Sequence, residues 1–160
     1  MENTSSDALT MIVFSGDMDK IMAAFNIAVG AAAMGKETSM FFTFWGIKAI
    51  QKGNFTGKSF FGKMLGIMNR GGISRIGPSR FNFWGIGRWM FKQMMGSKKV
   101  PSLAELRQTA IDLGVRLLPC QMSMDVMEIK KEDLIPEAEP SCGVATMLEL
   151  AYRSKATMFI

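Results

Sequence analysis

Cys120 and Cys142 are the strongest nucleophiles in this 160-residue chain, and no histidine accompanies them. Without imidazole, Ser-His-Asp and Cys-His catalysis are excluded, as is every metal site that relies on histidine. Two cysteines cannot build a Cys-rich zinc site or a disulfide framework. They stand 22 residues apart, so they are no Cys-x-x-Cys pair. A disulfide between them stays open, because sequence gives no distance. What remains is the chemistry of a thiol that needs neither metal nor organic cofactor: nucleophilic attack, oxidation or sulfur exchange.

Two glycine motifs fall short of nucleotide sites. Gly53-Asn54-Phe55-Thr56-Gly57-Lys58-Ser59 ends like a phosphate loop, but three residues separate its glycines where four are required. It reads as a basic turn. Gly85-Ile86-Gly87 has no third glycine in register for a dinucleotide.

The elements around Cys120 follow a β-α rhythm. Residues 8–15 form a short apolar run that reads as a buried strand, ending at Ser15-Gly16-Asp17. Asp17 can cap the next segment, 18–34, where Ile21, Met22, Phe25, Ala28, Val29 and Ala32 recur at helical spacing. Gly35 is placed to end that helix, and 38–44 reads as a second strand. After the middle of the chain the rhythm resumes. Ser102-Leu103-Ala104-Glu105 is a capping box, with Leu103, Leu106, Ala110 and Leu113 as its apolar stripe and Gly114 as the stop. Residues 115–119 read as a third strand, 121–127 as a short helix and 130–136 as a charged surface link. Ser141 can cap a helix over 142–153 with Val144, Met147, Leu148 and Ala151 inward, and 156–160 fits a last strand. The expectation is one α/β domain over 1–160: three layers, a mostly parallel sheet with helices on both faces, and an amphipathic helical insertion.

In that frame Cys120 lies where a strand ends and a helix begins. Open parallel sheets bind ligands outside the carboxyl ends of their strands. A helix N-terminus offers unpaired N–H groups and partial positive charge, which stabilise a thiolate or a persulfide anion. A small buried hydrophobe is the plain alternative. Ser15 and Gly16 are candidates for the same cleft, although a tight turn explains Gly16 as well. Cys142 reads more readily as a buried structural cysteine than as a resolving thiol.

Charge is distributed unevenly. Residues 45–99 hold 11 of the 19 Lys/Arg and none of the 14 Asp/Glu, so a net charge of +5 joins a −6 domain to a +11 insertion. That pattern argues against a uniformly basic nucleic-acid binder. The insertion also holds all three Trp and 11 of the 16 Gly. Phe60, Phe61, Met64, Leu65 and Met68 make one helical face. Ile86, Trp89, Met90 and Met94 make another, opposite Arg88 and Lys92, and a turn at Arg70-Gly71-Gly72 lies between the two. Flap and partner docking rank first for this insertion, peripheral contact with an anionic membrane second and nucleic acid last. The acidic start is no secretory signal, and the longest uncharged helical stretch, 21–35, is shorter than the roughly 20 residues a bilayer needs. A cytoplasmic protein with reduced thiols is expected.

Pro119-Cys120-Gln121-Met122-Ser123-Met124-Asp125-Val126-Met127 resembles the cysteine motif of the DsrE/DsrF/DsrH-like sulfurtransferase family. The closest likeness is to a DsrE-like subgroup whose members are often called peroxiredoxin-family proteins. Phe41-Phe42-Thr43-Phe44-Trp45-Gly46, Gly62-Lys63-Met64-Leu65-Gly66 and Lys130-Lys131-Glu132-Asp133-Leu134-Ile135 resemble it too, so the likeness spans about residues 11–160. Where that subgroup has Gly after the final Met, this chain has Glu128. The resemblance implies a cytoplasmic homo-oligomer whose Cys120 carries sulfur as a persulfide. It implies relay to or from a TusA-like sulfur carrier or another persulfide-bearing protein, with no cofactor and no metal. A membrane-surface interaction module and a thiol redox sensor are the rival readings.

Overall fold

The computed structural model describes residues 6–68, 70–80 and 85–160. The polar start through Ser5 and one of the three Trp, Trp84, lie outside the described residues. Strand β1 (Ser6–Val13) lies between β2 (Thr38–Phe42) and β4 (Ser154–Phe159), and β3 (Arg116–Pro119) adds to β2, giving the order β3-β2-β1-β4. Every pairing is parallel. Register sorts the side chains by face. Met11, Met40 and Leu117 form one fully buried row, and Ile12, Phe41 and Leu118 form the next row on the opposite face. Both inner strands are covered on two sides, which is why all five residues of β2 are buried.

Helices α1 (Met18–Ala33) and α4 (Leu103–Asp112) pack together on the Met11 face. Helix α6 (Val144–Arg153) lies on the Phe41 face. Crossovers of one hand produce this split: β1 to β2 to β3 moves one way along the sheet, and the return to β4 crosses the other side. The three-layer α/β architecture is therefore present as expected. Gly35 and Gly114 both follow helices with left-handed φ of 74° and 77°, as the stop signals require. The Ser102 capping box is complete, with Ser102 accepting from Glu105 N–H at 3.3 Å and Glu105 accepting from Ser102 N–H at 2.7 Å. Ser102→Ala is expected to destabilise the fold by about 1 kcal/mol. Thermal unfolding should then show a Tm lower by about 2–4 °C.

Several local expectations change. Asp17 occupies the N-cap of α1 without a side-chain cap; its carboxylate accepts from Ser15 Oγ at 3.0 Å and Lys20 Nζ at 3.1 Å instead. Leu113 ends the α4 stripe exposed, one residue beyond the helix. β2 stops at Phe42, and a 3-10 helix, Phe44–Ile50, takes the chain across the end of β1. Gly46 makes that crossing fit: a Cβ there would lie 2.1 Å from the Val13 carbonyl oxygen. Within the expected surface link 130–136, Leu134 and Ile135 are buried, because the Ile135 N–H pairs with the Ile50 carbonyl and draws both side chains inward. Helix α6 starts at Val144, not at Cys142. Of its expected inward residues only Met147 is buried, Ala151 is partly buried, and Val144 and Leu148 are exposed. It lies on the sheet beside the edge strand β4, and among the described residues Val144 and Leu148 stay exposed.

The insertion forms its two helices, α2 (Phe60–Met68) and α3 (Ile86–Ser97), but they lie glycine side down. Gly62, Gly66 and Gly87 are buried, whereas Phe60 and Trp89 are 79% and 65% exposed. Ile73 and Ile76 anchor the segment in the main core. Two carboxylates of the acidic domain hold its polar edges, one of them Asp19, which accepts from Ser79 N–H at 2.9 Å and Ser79 Oγ at 2.8 Å. Among the described residues, no helix is long and apolar enough to cross a membrane.

Candidate functional site

Strand β3 delivers Cys120 to the carboxyl end of the sheet, and α5 (Gln121–Val126) begins at the next residue. The Cys120 N–H donates to the Phe42 carbonyl at 2.9 Å, which extends the β2–β3 ladder by one rung. The Cys120 carbonyl accepts from Met124 N–H at 3.1 Å and so starts the helix. Alternation along β3 puts Cys120 on the α6 face, where it packs with Phe41, Leu118 and Met147 and is 4% exposed. A buried hydroxyl pair, Thr43 Oγ1 to Ser123 Oγ at 2.8 Å, ties the end of β2 to the first turn of α5.

Cys142 lies beside Cys120. The two residues form an isolated parallel bridge at the free edge of β3. Cys142 N–H donates to the Pro119 carbonyl at 3.0 Å, and the Cys142 carbonyl accepts from Gln121 N–H at 3.0 Å. Both thiols are free. Burial pushes the Cys142 thiol up from its ordinary range, Cys120 and Glu139 push the same way, and Arg116 opposes them. Arg116 forms a bidentate pair with Glu139 at 2.8 and 2.9 Å, which compensates the nearest cation. Ser141 does not cap a helix; its hydroxyl donates to the Gln121 side chain, whose amide in turn donates to Asp125 at 2.7 Å. This chain fastens the entry of α6 to α5.

Glu128 is the second carboxylate that grips the insertion. It takes a left-handed φ of 51°, a conformation that favours glycine. Its carboxylate accepts from the Lys58 N–H, from the Ser59 N–H at 2.8 Å and from the Ser59 hydroxyl at 2.6 Å. The Ser59 hydroxyl, then the two amides, hold its pKa down at about 2. A depressed carboxylate stabilises the folded state above its unfolded value, and that support is lost as pH falls from about 4.5 towards about 2. Protection factors of the amides at 58–62, with the intrinsic pH dependence of exchange divided out, should fall over that interval in the wild type. In Glu128→Gln the same amides should exchange faster already at pH 7; unchanged protection at pH 7 contradicts the role. The turn that ends like a phosphate loop is thus occupied by the chain's own carboxylate.

Gly16 does not join Cys120. It lines a separate cleft with Asp17, Lys48 and three arginines, and Cys120 is not part of that lining. The sequence left the Cys120–Cys142 grouping open and gave no sign of the basic cleft. Nothing in a 22-residue spacing shows that Cys142 flanks Cys120, and a basic segment does not reveal which of its cations converge.

A sequence model of the DsrE/DsrF/DrsH-like family matches residues 5–159. The chain is 39% identical over 153 residues to the uncharacterized protein YrkE of Bacillus subtilis (strain 168), covering 94% of this chain and 95% of that one. It is 30% identical over 156 residues to the sulfur carrier protein DsrE2 of Allochromatium vinosum, covering 95% and 97%. The crystal structure of the ychN protein from E. coli superposes with a TM-score of 0.60 over 96% of this chain and 99% of that one. Its sequence identity is 8%, so the likeness is one of fold.

Proposed function

The chain belongs to the DsrE/DsrF/DrsH-like family, and from that premise we propose that it is a sulfurtransferase, a carrier that takes up sulfane sulfur as a persulfide on Cys120. The Cys120 thiolate attacks the outer sulfur of a donor persulfide. The donor S–S bond breaks, a new S–S bond forms on Cys120, and the donor departs as its thiolate. The reverse attack by an acceptor thiolate returns the sulfur and regenerates the Cys120 thiolate. No metal or redox cofactor enters this exchange. The position of Cys120 carries the reading: it is a thiol at the carboxyl end of a parallel strand, at the first turn of α5, with a second thiol alongside.

The partner in this reading is a TusA-like sulfur carrier or another persulfide-bearing protein, met in the reducing cytoplasm. Met122 and Val126 of α5 and Val144 at the start of α6 are exposed on the elements that flank the buried thiol and offer an apolar docking surface. The unpartnered face of α6 and the edge strand β4 suit a homo-oligomer. Incubation with a persulfide donor, followed by peptide mass spectrometry, tests the reading. A gain of about 32 Da on the peptide that contains Cys120 is expected. Sulfur found only on the Cys142 peptide would overturn it.

The outward apolar faces of α2 and α3, in a segment without a single carboxylate, favour one other reading. There the insertion adsorbs to an anionic membrane surface and the protein acts as an interaction module. Strong co-sedimentation with anionic vesicles at physiological salt, together with an unreactive Cys120, would select it.

A further inference from the structure

Four cations of the insertion converge on one cleft of about 330 Å³ beyond the carboxyl end of β1. Lys48 comes from the 3-10 helix, Arg70 and Arg75 from the segment between α2 and α3, and Arg88 from α3. Gly16 and Asp17, just past β1, and Lys48, past β2, put this cleft outside the carboxyl ends of the strands, where open parallel sheets bind ligands. The sole carboxylate in the lining is Asp17, already engaged by Lys20 and Ser15. Among the described residues, none of the four cations has a carboxylate within ion-pair distance.

Two of the cations are held in place by backbone. Arg70 Nε donates to the Gly53 carbonyl at 2.8 Å, and its guanidinium lies 4.0 Å above the Phe55 ring. Arg88 Nη1 donates to the Arg75 carbonyl at 2.8 Å. Each keeps further N–H groups available, because a guanidinium has five donors. Burial depresses the Lys48 ammonium, with Asp17 opposing, as expected for a cation enclosed without a close counter-charge. Gathering four like charges in one recess is unfavourable unless an anion completes it.

We propose that this cleft binds a small tetrahedral dianion of the phosphate, sulfate or thiosulfate class. The arginines supply paired N–H donors and Lys48 a point charge, the arrangement that suits tetrahedral oxyanions. The site is distinct from Cys120 and does not depend on its role.

Thermal unfolding of the full chain in sodium phosphate, sulfate or thiosulfate tests the site, with chloride at equal ionic strength as the reference. At about ten times the dissociation constant, the Tm of a chain this size should rise by about 3–6 °C. Arg88→Gln and Lys48→Met should each weaken binding by about tenfold or more in calorimetric titration. Lys63→Gln, which removes a charge of the same insertion outside the cleft, should leave it unchanged, as should Cys120→Ser. Arg88 is partly exposed, so its variant reports on the site even if Lys48→Met folds poorly. A Tm rise no larger than in chloride, or equal weakening by Lys63→Gln, would overturn the proposal.

Discussion

Cys120→Ser is expected to abolish the proposed sulfur loading: the gain of about 32 Da should fall below about 1% of wild type, because a serine hydroxyl neither attacks a persulfide nor holds one. Serine differs by one atom and keeps the 2.9 Å amide bond to Phe42, so the sheet is preserved and the loss reports chemistry. Cys142→Ser is expected to load normally. Its effect lies in the lifetime of the persulfide. A Cys142 thiolate that attacked the inner sulfur of loaded Cys120 would form a 120–142 disulfide and release hydrosulfide. Burial and the neighbouring Cys120 raise the Cys142 pKa, so at neutral pH the group remains a thiol and the persulfide survives. Once pH passes the ordinary thiol range, Cys142 ionises and the wild type should discharge hydrosulfide, whereas Cys142→Ser should not. Equal loading of Cys120→Ser and wild type would refute the assignment. Identical alkaline discharge with and without Cys142 would remove only the role given to Cys142.

Phe42→Ala is expected to have the largest effect on stability. Phe42 is fully buried in the Met11-face core, with its ring 6.2 Å from that of Phe25. Truncating a buried Phe costs about 3–5 kcal/mol, since it leaves a cavity that close-packed neighbours cannot fill. For a chain of this length Tm should drop by about 6–20 °C in a calorimetric scan. The backbone of the same residue receives the Cys120 N–H. A variant that still folds should therefore also show faster amide exchange at Cys120. A drop of less than about 2 °C would mean that the core refills.

The sheet was largely legible because its inner strands are apolar on both faces and its helices carry their stop and capping signals locally: Gly35, Gly114 and the Ser102-Glu105 box need no tertiary information. Cys120 was legible for the same reason, since a strand run ended and a helix began on either side of it. What escaped depends on contacts between distant segments. Cys142 reaches Cys120 only because 140–143 returns along the free edge of β3. The orientation of α2 and α3 stayed open because apolar periodicity marks a face without saying what it meets; there the buried residues include glycines. The inward stripe of α6 was overestimated for a related reason. A sequence cannot show that a sheet edge is left half covered.

Helix α6 runs directly into β4: Arg153 closes the helix and Ser154 opens the strand, with no residue between them. Met147 of that helix packs over Cys120, and Cys142 stands two residues before its first turn. The three form one lever. Any displacement of α6 must also strain the β1–β4 pairing, and among the described residues β4 is an edge strand. If the proposed sulfur transfer requires α6 to move, amide exchange along 154–159 should rise when a persulfide-bearing partner is added.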